Sequence, residues 1–218
     1  MPAVVPAVLR LAASVLIVAA VVAQWVRSAE GPGYRFVDFF GYFTMQSNLI
    51  AAVALAVGAV FLLRRRPAPA WSVLLRGAAV TYLATTGIVY DLLLADLAMS
   101  TGTTVVWSND VLHRWMPVFL VLDWVLVGDR GPLPWRRFGA FLVYPLVWLG
   151  VVLLRGDSFV PYPFLDVAQL GAGTVALWCL AIAGAIAALS AMVIVLSRYR
   201  LLRVTGVEPA PAPAESRS

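Results

Sequence analysis

The stretch WSNDVLHRWMPVFLVLDW, Trp107 to Trp124, places ionisable side chains and the only histidine of the chain, His113, within an apolar run. The run predicts a membrane-spanning helix, and ionisable groups inside such helices are costly to bury and tend to mark functional sites. A lone histidine among apolar residues is nevertheless more often a packed, hydrogen-bonded side chain than a catalyst. Pro117 has no N–H, so the carbonyl of His113 lacks its usual helical donor.

The composition of the whole chain indicates a polytopic membrane protein. Of the 218 residues 62% are hydrophobic and 12% charged, and the mean hydropathy is +0.90. Soluble domains contain about 25% charged residues. The net charge of +5 does not indicate nucleic-acid binding, because the basic residues lie at the ends of apolar runs and form no amphipathic basic stripe.

Residue usage also restricts the chemistry. Cys179 is the only cysteine, so no disulfide can form within the chain, and a zinc or iron–sulfur site is implausible. A single histidine excludes a haem held by two histidines. We therefore expect no metal and no cofactor. All sixteen basic residues are arginine, which is typical of a GC-rich bacterial genome and predicts a multi-pass protein of the bacterial cytoplasmic membrane.

Six apolar runs predict an all-α bundle of six transmembrane helices over residues 1–203, since about 20 apolar residues cross a bilayer. The first run could instead be a signal peptide, with Arg10 before its apolar core and Ala23 before a cleavage site. Residues 204–218 contain too few apolar side chains to fold and predict a disordered cytoplasmic tail. The predicted helices are about 8–25, 41–63, 71–95, 109–127, 138–154 and 170–196.

The arginines predict the orientation of the bundle, because short cytoplasmic loops are enriched in basic residues. Three arginines, Arg27, Arg35 and Arg155, fall on one side of the six predicted helices, and eleven fall on the other. Both termini are therefore expected in the cytoplasm. The eleven are Arg10, Arg64, Arg65, Arg66, Arg76, Arg130, Arg136, Arg137, Arg198, Arg200 and Arg203.

Counting from the cytoplasmic end places three polar residues in one outer layer. At 1.5 Å per residue, Thr44 lies about 30 Å above Arg64, and His113 lies about 25 Å above Arg130. On the third predicted helix, Asp91 lies about 22 Å above Arg76. Thr44 and His113 are therefore predicted to meet if their helices are neighbours.

A hydroxyl, an imidazole and a carboxylate are the parts of a nucleophile, base and orienter set. Thr44 and His113 are the candidate catalytic pair, and Asp110, one turn before His113, or Asp91 could orient the imidazole. The alternative for Thr44 is a hydrogen bond from its hydroxyl to the carbonyl of Phe40. For Asp110 the alternative is an acid that complements the helix dipole.

Ser47 and Asn48 share a helix face with Thr44 and could orient a substrate or donate to an oxyanion. The segment GDSFVPYPFLDVAQLG forms a stiff predicted loop, in which Asp166 and Gln169 resemble a helix-capping box. On the outer face this loop could cover the polar layer as a lid. The predicted lid residues are Pro161, Tyr162, Pro163, Phe164 and Asp166.

These features together resemble the androgen-induced and androgen-dependent TFPI-regulating membrane protein family. The resemblance covers about residues 36–171 and rests on the six-helix layout, Phe43–Thr44, His113 with Pro117, and the sequence Tyr162-Pro163-Phe164-Leu165 with Asp166. It implies a threonine hydrolase that cleaves fatty acid esters of hydroxy fatty acids, with Thr44 and His113 as catalytic residues.

The residues and the resemblance together predict an integral membrane lipid-ester hydrolase whose substrate is a membrane lipid or fatty acyl ester. Two other functions remain open. The polar layer could bind a lipid or stabilise the bundle without catalysis. Alternatively Asp91, Asp123 and His113 could serve a small-solute or proton transporter, although the acids supply no obvious relay across the membrane core. The sequence does not predict an oligomeric state.

Overall fold

The computed structural model describes residues 1–100 and 104–206. All regular secondary-structure elements in this part of the chain are helices. Nine α-helices follow one another in this part of the chain. They are α1 Val4–Ala29, α2 Phe36–Phe39, α3 Phe43–Leu63, α4 Ala70–Val89, α5 Ala95–Ser100, α6 Val106–Asp110, α7 Met116–Leu126, α8 Phe138–Arg155 and α9 Val167–Leu196.

Within the described residues, five helical segments are long and apolar enough to cross a membrane, which indicates a multi-pass membrane protein. They match the predicted helices, apart from a few residues at each end. The segments are Val4–Ala29, Phe43–Leu63, Ala70–Leu97, Trp135–Ser158 and Val167–Leu196.

The remaining predicted helix, 109–127, corresponds to a continuous helical segment from Val106 to Leu126. It contains α6, a π-helical turn at Val111–Trp115, and α7. Three charged side chains make it less apolar than the other five segments: Asp110, Arg114 and Asp123. A second π-helical turn, Tyr90–Leu94, joins α4 to α5. The two π-helical turns face each other, as Tyr90 and His113 show below.

The core of the bundle forms where α1 packs on α3, α3 on α4, and α4 on both α7 and α9. Small residues at these contacts, such as Ala51 and Ala79, allow the helices to approach closely. Helix α8 packs mainly on α9. Large apolar side chains on the outer faces remain exposed, as lipid-facing residues would be; Leu154 and Leu180 are examples.

Both ends of the described chain lie at the same end of the bundle. The N-terminal amine of Met1 donates to the carbonyl of Arg203 at 2.6 Å, and Thr205 N–H donates to Met1 O at 3.0 Å. Residues 204–206 are therefore attached to the bundle, which corrects the start of the predicted disordered tail because Val204 is also buried. The rest of that predicted tail, 207–218, lies outside the described residues.

A buried ion cluster closes this end of the bundle. Arg10 binds Asp123 at 2.8 Å and Asp129 at 2.6 Å, and Arg76 binds Asp129 at 2.7 Å. All four side chains are at most 5% exposed. The sequence favoured an ion pair of Asp123 with Arg76 or Arg130, or exposure to water; Arg76 does lie 4.0 Å from Asp123, and Arg10 is the nearer cation. Burial alone would raise the pKa of Asp129, but the charges of Arg76 and Arg10 hold it well below its usual range.

Candidate active site

Thr44 and His113 are in hydrogen-bond contact. The Oγ1 atom of Thr44, in the first turn of α3, lies 3.3 Å from Nε2 of His113, in the π-helical turn before α7. Thr44 and His113 therefore lie at similar depth and meet, as predicted. Their catalytic roles stay predictions. The carbonyl of Phe40, the alternative partner for the Thr44 hydroxyl, accepts from the Gln46 side chain at 2.8 Å.

The second imidazole nitrogen fixes the direction of this hydrogen bond. Nδ1 of His113 lies 3.0 Å from the carbonyl oxygen of Asn109. A carbonyl only accepts, so Nδ1 must carry the proton of the neutral ring and Nε2 must present a lone pair. The Thr44 hydroxyl therefore donates to Nε2. This is the arrangement that a nucleophilic hydroxyl and its general base require.

Tyr90 and Asn109 hold the imidazole in place. The ring of Tyr90 stacks on that of His113 with centroids 4.0 Å apart and planes at 27°. Asn109 Nδ2 donates to the Tyr90 hydroxyl at 2.5 Å. Neither residue was predicted as part of the site. The signal for Asn109 was its position four residues before His113, where its carbonyl faces the next turn of the helix.

Asp110 and Asp91, the predicted orienting acids, bind Arg114 instead of the imidazole. Arg114 Nη1 donates to Asp110 at 2.8 Å, and its Nε donates to Asp91 at 3.0 Å. These side chains are one-third to one-half exposed. The prediction is corrected because Arg114 lies one turn after Asp110 and is a stronger partner for a carboxylate than a neutral imidazole.

Ser47 and Asn48 are buried beside Thr44, but their side chains point towards backbone carbonyls and Thr86. Asn48 Nδ2 donates to Thr44 O at 2.9 Å and to Leu112 O at 3.2 Å. Ser47 Oγ donates to Thr44 O at 3.2 Å and lies 3.3 Å from Thr86 Oγ1. Their predicted role as oxyanion donors is corrected, since these donors are already used. They fix the start of α3 against the segment that carries His113.

The N-terminus of α3 lies at the site, because Thr44 belongs to its first turn. The residue before the helix, Tyr42, provides no side-chain cap, and Gln46 N–H bonds to Tyr42 O at 3.2 Å. The N–H groups of the first turn have no acceptor within the helix. A helix N-terminus therefore favours negative charge. Charge that develops near Thr44 would be stabilised there.

The predicted lid residues 161–166 lie over this end of α3. Tyr162 packs on Trp148, Tyr42 and Phe164, with ring centroids 5.2 to 6.0 Å apart. Burial raises the pKa of the Tyr162 phenol to about 12. Asp166 accepts from Gln169 N–H at 3.0 Å, which confirms the predicted cap of α9. Helix α9 is interrupted shortly afterwards at Gly171, whose φ is 75°.

Two cavities meet at Thr44, His113 and Tyr162. One, of about 140 Å³, has an apolar lining from α4, α8 and α9 that includes Leu149 and Cys179. The other, of about 300 Å³, has a more polar lining. An ester group at Thr44 could therefore extend an apolar chain into the first cavity and its other half into the second.

Gly87 on α4 permits the close approach of the His113 segment. A Cβ at this position would lie 3.0 Å from His113 O and 3.2 Å from Pro117 Cβ. Given the predicted catalytic role of His113, we expect Gly87→Ala to displace the imidazole and to lower ester turnover by about 10- to 100-fold, because small displacements of a catalytic group are costly. Kinetics with a fatty acyl ester would measure this.

Gly150→Ala on α8 is the matched control, since its added Cβ meets nothing within 4 Å. Unchanged turnover is expected for that variant. Equal rates in the two alanine variants would contradict the positioning role of Gly87.

Comparison with known proteins finds no family model, curated protein or solved structure that matches the chain. In the described part of the chain, no group of three or more His, Cys, Asp or Glu side chains is placed to hold a metal ion. The fold and site thus define a multi-pass helical membrane protein with a hydrogen-bonded threonine and histidine beside an apolar cavity.

Proposed function

We propose that the protein is an integral membrane lipid-ester hydrolase in which Thr44 is the nucleophile and His113 is the general base. One observation carries this proposal: the 3.3 Å contact between Thr44 Oγ1 and Nε2 of His113, at the mouth of an apolar cavity. Fatty acid esters of hydroxy fatty acids are the proposed substrates, through the family resemblance described above.

In the first half of the reaction, Nε2 of His113 takes the hydroxyl proton of Thr44 as Oγ1 bonds to the acyl carbon. The carbonyl electron pair moves to oxygen and gives a tetrahedral oxyanion near the N-terminus of α3. The oxyanion then collapses and breaks the bond to the alcohol. The leaving alkoxide takes the proton from His113, which leaves an acyl group on Thr44.

In the second half, water replaces the alcohol. His113 takes a proton from the water as the hydroxide oxygen bonds to the acyl carbon, and the second tetrahedral intermediate expels Thr44 Oγ1. The proton on His113 returns to that oxygen. A carboxylic acid is released, and the neutral histidine and threonine are restored.

We further propose six transmembrane helices with both termini in the cytoplasm of a bacterium. The segment Val106–Leu126 supports the sixth crossing, because its 21 residues would span about 31 Å at 1.5 Å per residue. The contact between Met1 and Arg203 supports an even number of crossings. With this orientation, the substrate would enter from the outer leaflet.

The test is hydrolysis of an acyl ester series by the purified protein in lipid nanodiscs. We expect release of acid and alcohol from fatty acyl esters, with little turnover of acetate esters, because only a long chain fills the apolar cavity. Stoichiometric lipid binding without any turnover would favour the non-catalytic alternative and contradict the proposal.

Filling the apolar cavity should change chain-length selectivity. Cys179 lines the cavity on α9, so we expect Cys179→Trp to lower turnover of a palmitoyl ester about 10-fold or more relative to a butyryl ester. The size of this effect follows from losing the burial of several methylenes at about 0.8 kcal/mol each.

Leu180→Trp is the matched control, because the neighbouring Leu180 is 68% exposed on the outer face of α9. It should leave the palmitoyl to butyryl ratio unchanged. The assignment of this cavity to the acyl chain is overturned if both tryptophan variants keep the wild-type ratio.

A further inference from the structure

The proposed reaction also needs a side-chain donor for the oxyanion, in addition to the N-terminus of α3. Ser47 and Asn48 donate to backbone carbonyls, and Arg114 is held by two aspartates on the exposed side. A donor for this role must lie close to Thr44 Oγ1 and face the space that the substrate carbonyl would occupy.

We propose that the hydroxyl group of Tyr162 donates to the oxyanion and is a third catalytic group beside Thr44 and His113. This inference rests on the proposed hydrolase function. Tyr162 lines both cavities together with Thr44 and His113, so its side chain stands where the two halves of an ester would join.

The surroundings of the phenol place it beside the reacting hydroxyl. Tyr162 lines both cavities together with Thr44, and its ring packs on that of Tyr42, the residue before α3, with centroids 5.8 Å apart. The Thr44 hydroxyl donates to His113 Nε2, so Thr44 Oγ1 keeps lone pairs to which a phenol proton can be donated.

The N-terminus of α3 strengthens the phenol as a donor, because it adds positive potential beside the hydroxyl. With its pKa raised to about 12 by burial, the phenol keeps its proton at neutral pH. When Thr44 Oγ1 attacks, the same O–H turns from the nucleophile to the new oxyanion, which forms two bonds away.

The rings around Tyr162 hold the hydroxyl in position. The ring lies 5.2 Å from that of Phe164 and 6.0 Å from that of Trp148. Pro161 and Pro163 restrict the backbone on each side. The stiff segment predicted as a lid thus also holds the Tyr162 hydroxyl in the position that the proposed reaction requires.

The experiment compares Tyr162→Phe with the wild-type protein, because phenylalanine keeps the ring packing and removes only the hydroxyl. We expect kcat to fall by about 10²- to 10³-fold, as for the loss of one oxyanion donor elsewhere. KM should remain similar, since the interaction strengthens only in the transition state.

Two ketones of equal chain length separate catalysis from structure. A trifluoromethyl ketone adds Thr44 Oγ1 to its carbonyl and forms an oxyanion, whereas the matching methyl ketone binds largely without addition. In Tyr162→Phe the affinity ratio of the two ketones should fall about 100-fold. The ratio is measured within one variant, so it does not depend on the folded fraction.

Tyr144→Phe is the control, because it also removes a tyrosine hydroxyl group. The Tyr144 hydroxyl donates to Gln46 Oε1 at 3.2 Å and has no role in the proposed reaction. Wild-type kcat is expected. Should the wild-type protein hydrolyse esters while Tyr162→Phe keeps its kcat and ketone ratio, the role of Tyr162 is overturned and the hydrolase proposal stands. Absence of any wild-type turnover would overturn both.

Discussion

Thr44→Ala and His113→Ala are each expected to lower ester turnover by about 10²- to 10⁴-fold, the contribution typical of a general base, or more where the nucleophile itself is lost. Thr44 is 6% exposed, and its side chain bonds to His113, so alanine removes the hydroxyl and one methyl group and leaves the backbone contacts of α3 in place. Rates of acid release by protein in nanodiscs would measure the loss, with thermal unfolding as the check on folding.

Two further variants control for packing and distinguish the alternatives. Ser47→Ala removes a neighbouring buried hydroxyl that bonds to Thr44 O and faces Thr86, and it should retain turnover within a few-fold. His113→Gln keeps a polar side chain but no base, so the hydrolase proposal predicts an inactive protein. Retained function in His113→Gln would favour a non-catalytic lipid-binding role.

Asp129→Asn is expected to destabilise the protein by about 3–5 kcal/mol, because removing one carboxylate of a buried ion cluster leaves a buried positive charge without its counter-charge. Asp129 binds both Arg10 and Arg76, and none of the three side chains is more than 3% exposed. The substitution would leave two buried guanidinium groups sharing Asp123. Thermal or denaturant unfolding in detergent, followed by circular dichroism, would measure the change.

Asp157→Asn, in an exposed turn after α8, is the control for removing a carboxylate and should be close to neutral. The lowered pKa of Asp129 also gives the direction of a pH effect. Its stabilisation is complete above the ordinary aspartate pKa of about 4 and is lost only as pH falls towards the folded value. An Asp129→Asn protein that unfolds with wild-type midpoint would contradict the structural role of the cluster.

Much of the helical architecture follows from apolar run length. The bilayer requires about 20 apolar residues per crossing, and the observed helices begin and end within a few residues of the predicted ones. The π-helical turns at Tyr90 and Val111 were not predictable in this way. A single extra residue rotates the following side chains around the helix but leaves the length of the apolar run almost unchanged.

The contact between Thr44 and His113 was accessible to sequence reasoning because helix rise converts residue count into depth. The partners of the imidazole were not. Spacing along one helix placed Asp110 near His113, but it could not show that Arg114 would take both carboxylates. The orienting carbonyl of Asn109 carries no residue-type signal, since every residue has one.

The arginine count likewise predicted which end of the bundle is rich in arginine, but not that some of these arginines are buried inside it. It treated Arg10 and Arg76 as residues at the membrane surface, whereas both are buried against Asp129. The cluster forms only when α1, α4 and the loop after α7 come together. Long-range packing of this kind leaves no local pattern in the chain.

The most direct test of the central claim is to locate the adduct of a fluorophosphonate probe by mass spectrometry. Thr44 Oγ1 should displace fluoride from phosphorus, its proton passing to His113, so we predict one phosphonate on the peptide that contains Thr44. Labelling should be absent in Thr44→Ala and at least about 100-fold slower in His113→Ala. An adduct on another residue, or ester hydrolysis by an unlabelled protein, would contradict the account.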